Sequence, residues 1–429
     1  MGGVSVPGSK SEANRALVLA ALAEGPSLIT GLPVARDTAL MADALTGLGA
    51  RIELAGSSAR VMAPTRWQGG ADIDCGLAGT VMRFVPPLAM LADGPTRFHG
   101  DARAGQRPMA DLLDALRRLG AEVVDDQGRP ASGLPFKLTP PAWAPQASSS
   151  KVATITIDAS ASSQFVSGLL LAGASYPLGL SLRHAGGPLP SRPHIDMTIA
   201  MLAAHGVNVT EPEPNHWLVP PGALRAVPGV VEPDLTNAAA FLLAGVVTTG
   251  WAEVADWPTH TSQPGDLIRP IIETFGGWVK RQADGSLRAG ANEPLQAANI
   301  DLSAASELTP VVAAVAATAA GTSRLSGIGH IRGHETDRLV AIAESLGAVG
   351  VPVTIEDDAL LITGGQPRHG GVIDARGDHR MVHLGALIGL LTPGVTISDA
   401  DAVAKTMPDF TVRWERLVNQ SLAGSGDGQ

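Results

Sequence analysis

The sequence predicts an α/β (α+β) chain of at least two domains, each built from repeats of a small helix-and-strand unit, and three observations carry that expectation. The chain has 429 residues, which favours two or three domains, because one hydrophobic core rarely serves so many. Hydrophobic residues make up 45% and aromatics only 3%, so the cores must be assembled from Ala, Val, Leu and Ile, which suits helices packed closely on sheets. One phrase also recurs: an Ala/Leu-rich amphipathic helix, a glycine, a short strand, a polar turn and a second strand.

The phrase appears five times, with its helix-ending glycines at Gly49, Gly120, Gly206, Gly276 and Gly347. Glycine there supplies the left-handed cap that stops a helix. The spacings of 71, 86, 70 and 71 residues are too long for a solenoid and suit compact subdomains. After each glycine, apolar and polar residues alternate around turn residues, as in WVKRQADGSLRAG and VPVTIEDDALLITGG, which predicts hairpins. Ala16, Leu17, Leu19, Ala20 and Leu22, and likewise Phe165, Leu169 and Leu170, recur at helical spacing and mark core faces.

Two stretches read as linkers, Pro140–Ser150 and Pro220–Pro233, the second being the better domain boundary, and Ser421–Gln429 reads as a frayed tail. The net charge of -10 argues against a general nucleic-acid binder, so any anion site must be local. Cys75 is the only cysteine, which excludes an internal disulfide and a multi-cysteine metal site and fits a reducing compartment. The start, Met1-Gly2-Gly3-Val4, lacks a basic region followed by an apolar one, and no run of 18 apolar residues occurs. The expectation is a soluble, cytoplasmic protein.

Several short segments gather anion-binding chemistry. Pro7-Gly8-Ser9-Lys10-Ser11, followed by Asn14-Arg15, puts donors and charge at a helix start, without the spacing of a Walker loop. Gly76-Leu77-Ala78-Gly79-Thr80 precedes Arg83, and Arg107-Pro108-Met109 opens another helix. Each is weak alone, since an Arg before Pro is more often a surface residue than a ligand. Ser160-Ala161-Ser162-Ser163-Gln164 and Ser191-Arg192-Pro193-His194 place polar groups before helices, where capping alone would explain them. The C-terminal half interleaves acids and bases: Glu307, then His330, Arg332, His334, Glu335, Asp337 and Arg338, then Asp378-His379-Arg380, then Lys405. Thr336 or Asp337 could simply cap the next helix. An acidic protein nevertheless gains little by gathering cations unless an anion binds among them.

PGSKS, NRA, GLAGTVMRF, RPM, SSQF, SRPHID, HETDRL, DHRM and AKTMPDF stand together in an order and spacing that resembles the EPSP synthases across nearly the whole chain. The resemblance implies a two-domain enolpyruvyl transferase fold, an inside-out α/β barrel with three βαβαββ repeats per domain. Residues 8–231 would form the N-terminal domain, and residues 1–7 with 232–429 the C-terminal one. The active site would lie in the interdomain cleft.

It also implies the reaction: transfer of the enolpyruvyl group of phosphoenolpyruvate to the 5-hydroxyl of shikimate 3-phosphate through a tetrahedral intermediate, in aromatic amino acid biosynthesis. No metal or organic cofactor is implied. Carried over by motif, Lys10, Ser11, Arg15, Ser162, Ser163, Gln164 and Ser191 resemble the shikimate 3-phosphate ligands, joined by Glu307, His330 and His334. Gly79, Arg107, Gln164, Arg338, Arg380 and Lys405, with Lys10 again, resemble the phosphoenolpyruvate ligands. Glu307 corresponds to the base beside the 5-hydroxyl, and Glu335 to the acid that protonates the methylene, for which a raised pKa is expected. Lys10 and Lys405 would stabilise charge on oxygen. A monomer that takes two small-molecule substrates, binds glyphosate, and engages neither nucleic acid nor membrane completes the implied picture.

Six positions depart from the common pattern. Glu307 stands where many members have Asp, His334 where many have Lys and His330 where many have Asn; His194 replaces a Tyr, Leu77 an Asn and Phe84 a Pro. His loses its charge near neutrality and Lys does not, so the pH profile is where these changes bear. Two rival readings are a UDP-N-acetylglucosamine enolpyruvyltransferase, which SSQF, SRPHID and HETDRL fit less well, and a two-domain protein that binds anions without chemistry.

Overall fold

The computed structural model describes residues 2–143, 152, 154–365 and 368–423. The chain divides into two compact units, Gly8–Val231 and Met1–Pro7 with Glu232–Gln429.

Among its described residues the Gly8–Val231 unit holds three four-stranded sheets of one design. In one, Asp72–Asp74 pairs parallel with Thr96–His99, and the hairpin Glu122–Val124 and Phe136–Thr139 adds antiparallel strands. Parallel neighbours need a crossover, here the helix Gly79–Ala89, whereas the antiparallel pair needs only a turn. Thr154–Ile157, Leu180–His184 and the hairpin Thr210–Glu213 and His216–Val219 repeat this order. The third sheet borrows its first strand: Gly229–Val230 pairs parallel with Ser27–Thr30, beside the hairpin Arg51–Ala55 and Ser58–Met62.

The other unit uses the same design. Gly3–Val4, from the start of the chain, pairs parallel with Trp251–Val254, and the sheet of Asn299–Asp301 and Gly321–Ser326 with the hairpin Val353–Ile355 and Leu360–Gly364 is continuous in sequence. In the last copy Val372–Asp374 pairs parallel with Thr396–Ser398, and the chain then enters the helix Phe410–Ala423 without a further hairpin among the described residues. Among the described residues five hairpins follow helices, which is why the sequence phrase occurs five times.

Helices fill each interior while the strands keep one face outward. All thirteen residues of Leu235–Val247 are buried, and Gly79–Ala89 is buried along its length. Helices apolar all round belong in a core. Small residues let them approach: a Cβ on Gly168 would lie 2.2 Å from the carbonyl oxygen of Arg83 on the neighbouring helix.

Gly49, Gly120, Gly206 and Gly276 take the left-handed conformation expected of caps. Gly347 does not. It is the last residue of the helix Arg338–Gly347; Ala348 still donates to the carbonyl of Glu344 at 2.9 Å, and Gly350, at φ 86°, makes the left-handed turn. The expected linker Pro140–Ser150 lies outside the described residues from 144 onward, and before that Trp143 is anchored, its indole donating to the carbonyl of Met90 at 2.9 Å and stacking on Tyr176. The expected tail begins later than Ser421, since the helix reaches Ala423, and residues 424–429 lie outside the described residues.

Candidate active site

In each unit many of the residues singled out by sequence, among them Lys10, Gly79, Gln164, Ser191, Arg338 and His379, stand at or just before the N-termini of helices, where free N–H groups and the helix dipole favour anions. Each repeat has two strand-to-helix turns, one before the parallel crossover helix and one before the helix that leads to the hairpin, and both kinds carry the polar groups.

In the Gly8–Val231 unit, Ser9 caps the helix Lys10–Leu22, and Lys10 reaches the buried carboxylate of Asp37 at 3.1 Å. Asn14 donates to Thr80 at 2.6 Å, tying this turn to the start of the helix Gly79–Ala89. Arg15 is 1% exposed; it donates to the Thr198 hydroxyl at 2.8 Å, the carbonyl of Ser11 at 2.8 Å and that of His194 at 3.1 Å, and lies over the Phe84 ring. It therefore holds three segments in register as well as carrying charge. Ser162 accepts from the backbone N–H of Gln164, and Ser163 precedes the helix Gln164–Gly173. Ser191, at φ 49°, holds a strained left-handed conformation before the helix Arg192–Ala204, a feature concentrated at ligand-binding turns.

Two guanidiniums meet over Gly79. A Cβ there would lie 2.9 Å from Nη2 of Arg107 and 2.9 Å from Nη1 of Arg83. Arg107 donates to the carbonyl of Leu77 at 2.8 Å; Arg83 donates to the side-chain oxygen of Gln164 at 2.9 Å and to the carbonyl of Pro108 at 3.2 Å. The hydrogen-bond acceptors of Arg83 are thus neutral, and burial, with the like charge of Arg107, pulls its pKa well below the ordinary guanidinium value. An anion at this spot would relieve both. Arg83 was not among the expected ligands, although a single Arg in the apolar run TVMRFVPPLA was a visible signal.

In the other unit the acids and bases pair closely, most of them buried, while the Arg332–Asp337 pair is exposed. Arg338 donates to both oxygens of Asp378, at 2.7 and 3.1 Å, and through Nη1 to Nδ1 of His334 at 3.0 Å. That bond makes Nδ1 the acceptor, so His334 is neutral with its proton on Nε2. Asp378 and Asp337 also cap the helices that follow them. Glu335 lies between Lys405 Nζ at 2.8 Å and His379 Nδ1 at 3.2 Å, and Glu307 accepts from Arg380 at 2.6 Å. His330 meets the Ser306 hydroxyl at 2.9 Å and packs edge-on against His334.

Burial pushes the Glu335 carboxyl upward, but Lys405, His379 and Arg338 together overcome it and hold the group well below its ordinary pKa. This corrects the expected raised value: the cations around the carboxylate outweigh its desolvation. Burial lowers His330 to about 4, Glu307 opposing and Arg338 assisting. Burial also lowers His379, against the opposing pull of Glu335. Donor atoms of Glu335, Asp378 and His379 lie within 4.8 Å of one another, but Arg338 and Lys405 already neutralise those carboxylates, so the trio suits an ion-pair network better than a divalent metal.

A family model described as EPSP synthase (3-phosphoshikimate 1-carboxyvinyltransferase) matches residues 1–414. The chain belongs to the EPSP synthase family. A relative from Mycobacterium ulcerans (strain Agy99), named 3-phosphoshikimate 1-carboxyvinyltransferase, is 47% identical over 425 residues, covering 97% of this chain and 95% of its own. Solved structures agree on the fold. The EPSP synthase from Acinetobacter baumannii superposes with a TM-score of 0.77 at 24% identity, and the enolpyruvyl transferase NikO from Streptomyces tendae with 0.75 at 20%, each covering 97% of this chain and 95% of the other. The Arg83–Gly79–Arg107 arrangement and the Glu335 network are thus features of an EPSP synthase family chain, with a transferase fold beneath them.

Proposed function

We propose that the protein transfers the enolpyruvyl group of phosphoenolpyruvate to the 5-hydroxyl of shikimate 3-phosphate. The observation that carries this reading beyond family membership is the pair of guanidiniums over Gly79, where a buried Arg83 meets only neutral acceptors. Both substrates carry phosphate and carboxylate, which guanidinium groups bind in bidentate fashion.

In this reading Lys10, Ser11, Arg15, Ser162, Ser163, Gln164 and Ser191 hold shikimate 3-phosphate, with Glu307, His330 and His334. Gly79, Arg107, Gln164, Arg338, Arg380, Lys405 and Lys10 hold phosphoenolpyruvate, and Arg83 is added to them. Glu307 takes the proton of the 5-hydroxyl as its oxygen bonds to C2 of phosphoenolpyruvate, while Glu335 delivers a proton to C3. Loss of a C3 proton back to Glu335 and departure of phosphate from C2 then leave the enol ether. Lys10 and Lys405 stabilise charge developing on oxygen. Because Glu335 is ionised among its cations, it becomes an acid only when substrate anions offset Lys405 and Arg338. The protein acts as a cytoplasmic monomer that binds glyphosate where phosphoenolpyruvate sits.

The experiment is phosphate release from phosphoenolpyruvate, with and without shikimate 3-phosphate, and with UDP-N-acetylglucosamine as the alternative acceptor. Release that requires shikimate 3-phosphate and stops with glyphosate is expected. Release only with the nucleotide sugar, or none with either, overturns the reading.

A further inference from the structure

His383 lies four residues after His379 on the helix His379–Gly389, a spacing that brings two side chains to one face. Both rings are buried. Their centroids stand 6.2 Å apart with planes at 88°, and His383 packs on its other side against Phe410 at 4.8 Å. Neither nitrogen of His383 has a hydrogen-bond partner among the described residues, nor has Nε2 of His379. The Thr406 hydroxyl, on the segment that follows Lys405, is likewise buried and unmatched. Each unmatched buried polar atom costs about 1–3 kcal/mol, so an apolar side chain at 383 would be cheaper unless the imidazole is used.

The need for it lies at His379. The Glu335 carboxylate can only accept, so the 3.2 Å contact places the proton of neutral His379 on Nδ1. Nε2 is then a buried lone pair that requires a donor. The charged and titratable groups acting on His383 are His379 and Arg380 from its own helix and Arg338 from the helix Arg338–Gly347, while Phe410 faces it from Phe410–Ala423. Burial above all, and then these neighbours, disfavour a charge on His383, so it is neutral, with one N–H to give. The two rings do not bond directly, and a buried water needs two to four polar partners, which these nitrogens supply.

We propose that His383 is a positioning residue for the transfer reaction: through one buried water it provides the donor for Nε2 of His379, and so fixes the tautomer whose Nδ1–H orients the Glu335 carboxylate. The proposal rests on the reading of Glu335 as the proton-transferring group.

The test uses the full chain with His383→Leu, which fills the space without hydrogen bonding, and His383→Gln, which can still donate. His383→Leu is expected to lower kcat roughly 10- to 100-fold with KM for phosphoenolpyruvate little changed, short of the about 10⁴-fold loss when a catalytic histidine is held in the wrong tautomer outright. His383→Gln should recover most of it. Side-chain nitrogen NMR of the unmutated protein should show His379 protonated on Nδ1, with Nε2 a hydrogen-bonded acceptor, and that acceptor signal should be lost in His383→Leu. Full activity in His383→Leu, or a His379 resonance unchanged by it, overturns the proposal. Glu335→Gln separates the two readings: if it abolishes turnover while His383→Leu is silent, only the His383 inference falls, and if Glu335→Gln turns over normally the Glu335 reading itself fails.

Discussion

Lys405 Nζ lies 2.8 Å from Oε1 of Glu335, both side chains nearly buried, and this pairing helps hold the carboxyl in its ionised form. With Lys405, His379 and Arg338 holding Glu335 ionised, the free protein has no proton there near neutrality. Substrate anions that draw on the same cations raise the Glu335 pKa toward the working range, and the protein then binds a proton. Ternary-complex formation is therefore expected to take up protons, read as a dependence of the calorimetric binding enthalpy on the ionisation enthalpy of the buffer. Glu335→Gln should remove that uptake, and an enthalpy that ignores the buffer would contradict this account.

Gly79 has no room for a side chain. A Cβ would sit 2.9 Å from a nitrogen of each of Arg83 and Arg107, and Arg83 is pinned by Gln164 and Pro108. Gly79→Ala is expected to push the guanidiniums apart and raise KM for phosphoenolpyruvate about 10- to 100-fold, with a stability loss of about 1–3 kcal/mol. Glyphosate should lose at least as much affinity as the substrate. An unchanged KM in steady-state kinetics would show that the guanidiniums do not form the anion seat.

His330, with its pKa near 4, is neutral at every pH where the protein is expected to work. The sign of its linkage follows. The unfolded chain, with an ordinary histidine pKa of about 6.5, binds more protons than the folded chain between the two values, so His330 costs progressively more stability as pH falls from about 6.5 to 4. The loss reaches about 2–3 kcal/mol, and His330→Asn should flatten the Tm against pH curve over that window. The acid limb of kcat should stay where it is in the variant, because the replaced ring carries no charge there.

Much of the fold was legible in the sequence because each repeat ends in the same chemistry, a glycine followed by an alternating hairpin. Four of the five glycines do make the left-handed turn, and the fifth yields to Gly350 because Ala348 carries the helix one residue past it. Trp143 was hidden inside a Pro/Ser-rich stretch, since its anchor is the carbonyl of Met90, far away in sequence. Within the site, charge spacing and motif resemblance selected residues that the fold gathers at helix starts and in the network around Arg338 and Glu335. They could not assign protonation: Glu335 belongs to a triangle of Lys405, His379 and Arg338 that only tertiary structure assembles. They also passed over Arg83 and His383, which sit within apolar helical runs: Arg83 is buried with only neutral hydrogen-bond acceptors, and His383 is buried with neither ring nitrogen matched among the described residues.

Gly168 makes a purely structural prediction. The carbonyl oxygen of Arg83 would lie 2.2 Å from a Cβ at this position, and backbone cannot swing aside as a side-chain tip can. Gly168→Ala must separate the helices Gly79–Ala89 and Gln164–Gly173. The expected cost is about 1–3 kcal/mol or more in chemical denaturation, with Arg83 displaced and activity reduced together. A variant of native stability would mean that the two helices pack less closely than described.

Arg83 itself separates stability from function. Several kcal/mol are spent in burying an ion without a counter-charge, against about 1 kcal/mol gained from each neutral hydrogen bond to Gln164 and Pro108. Arg83→Met removes the charge, keeps most of the volume over the Phe165 ring, and is expected to leave the ligand-free Tm unchanged or raised. Phosphoenolpyruvate binding should weaken by about 100-fold, and substrate should no longer raise the Tm as it does in the parent protein. A variant that melts lower and still binds phosphoenolpyruvate would make Arg83 a structural tie, whereas a stable variant that has lost the ligand would show that this buried charge is kept for the anion it receives.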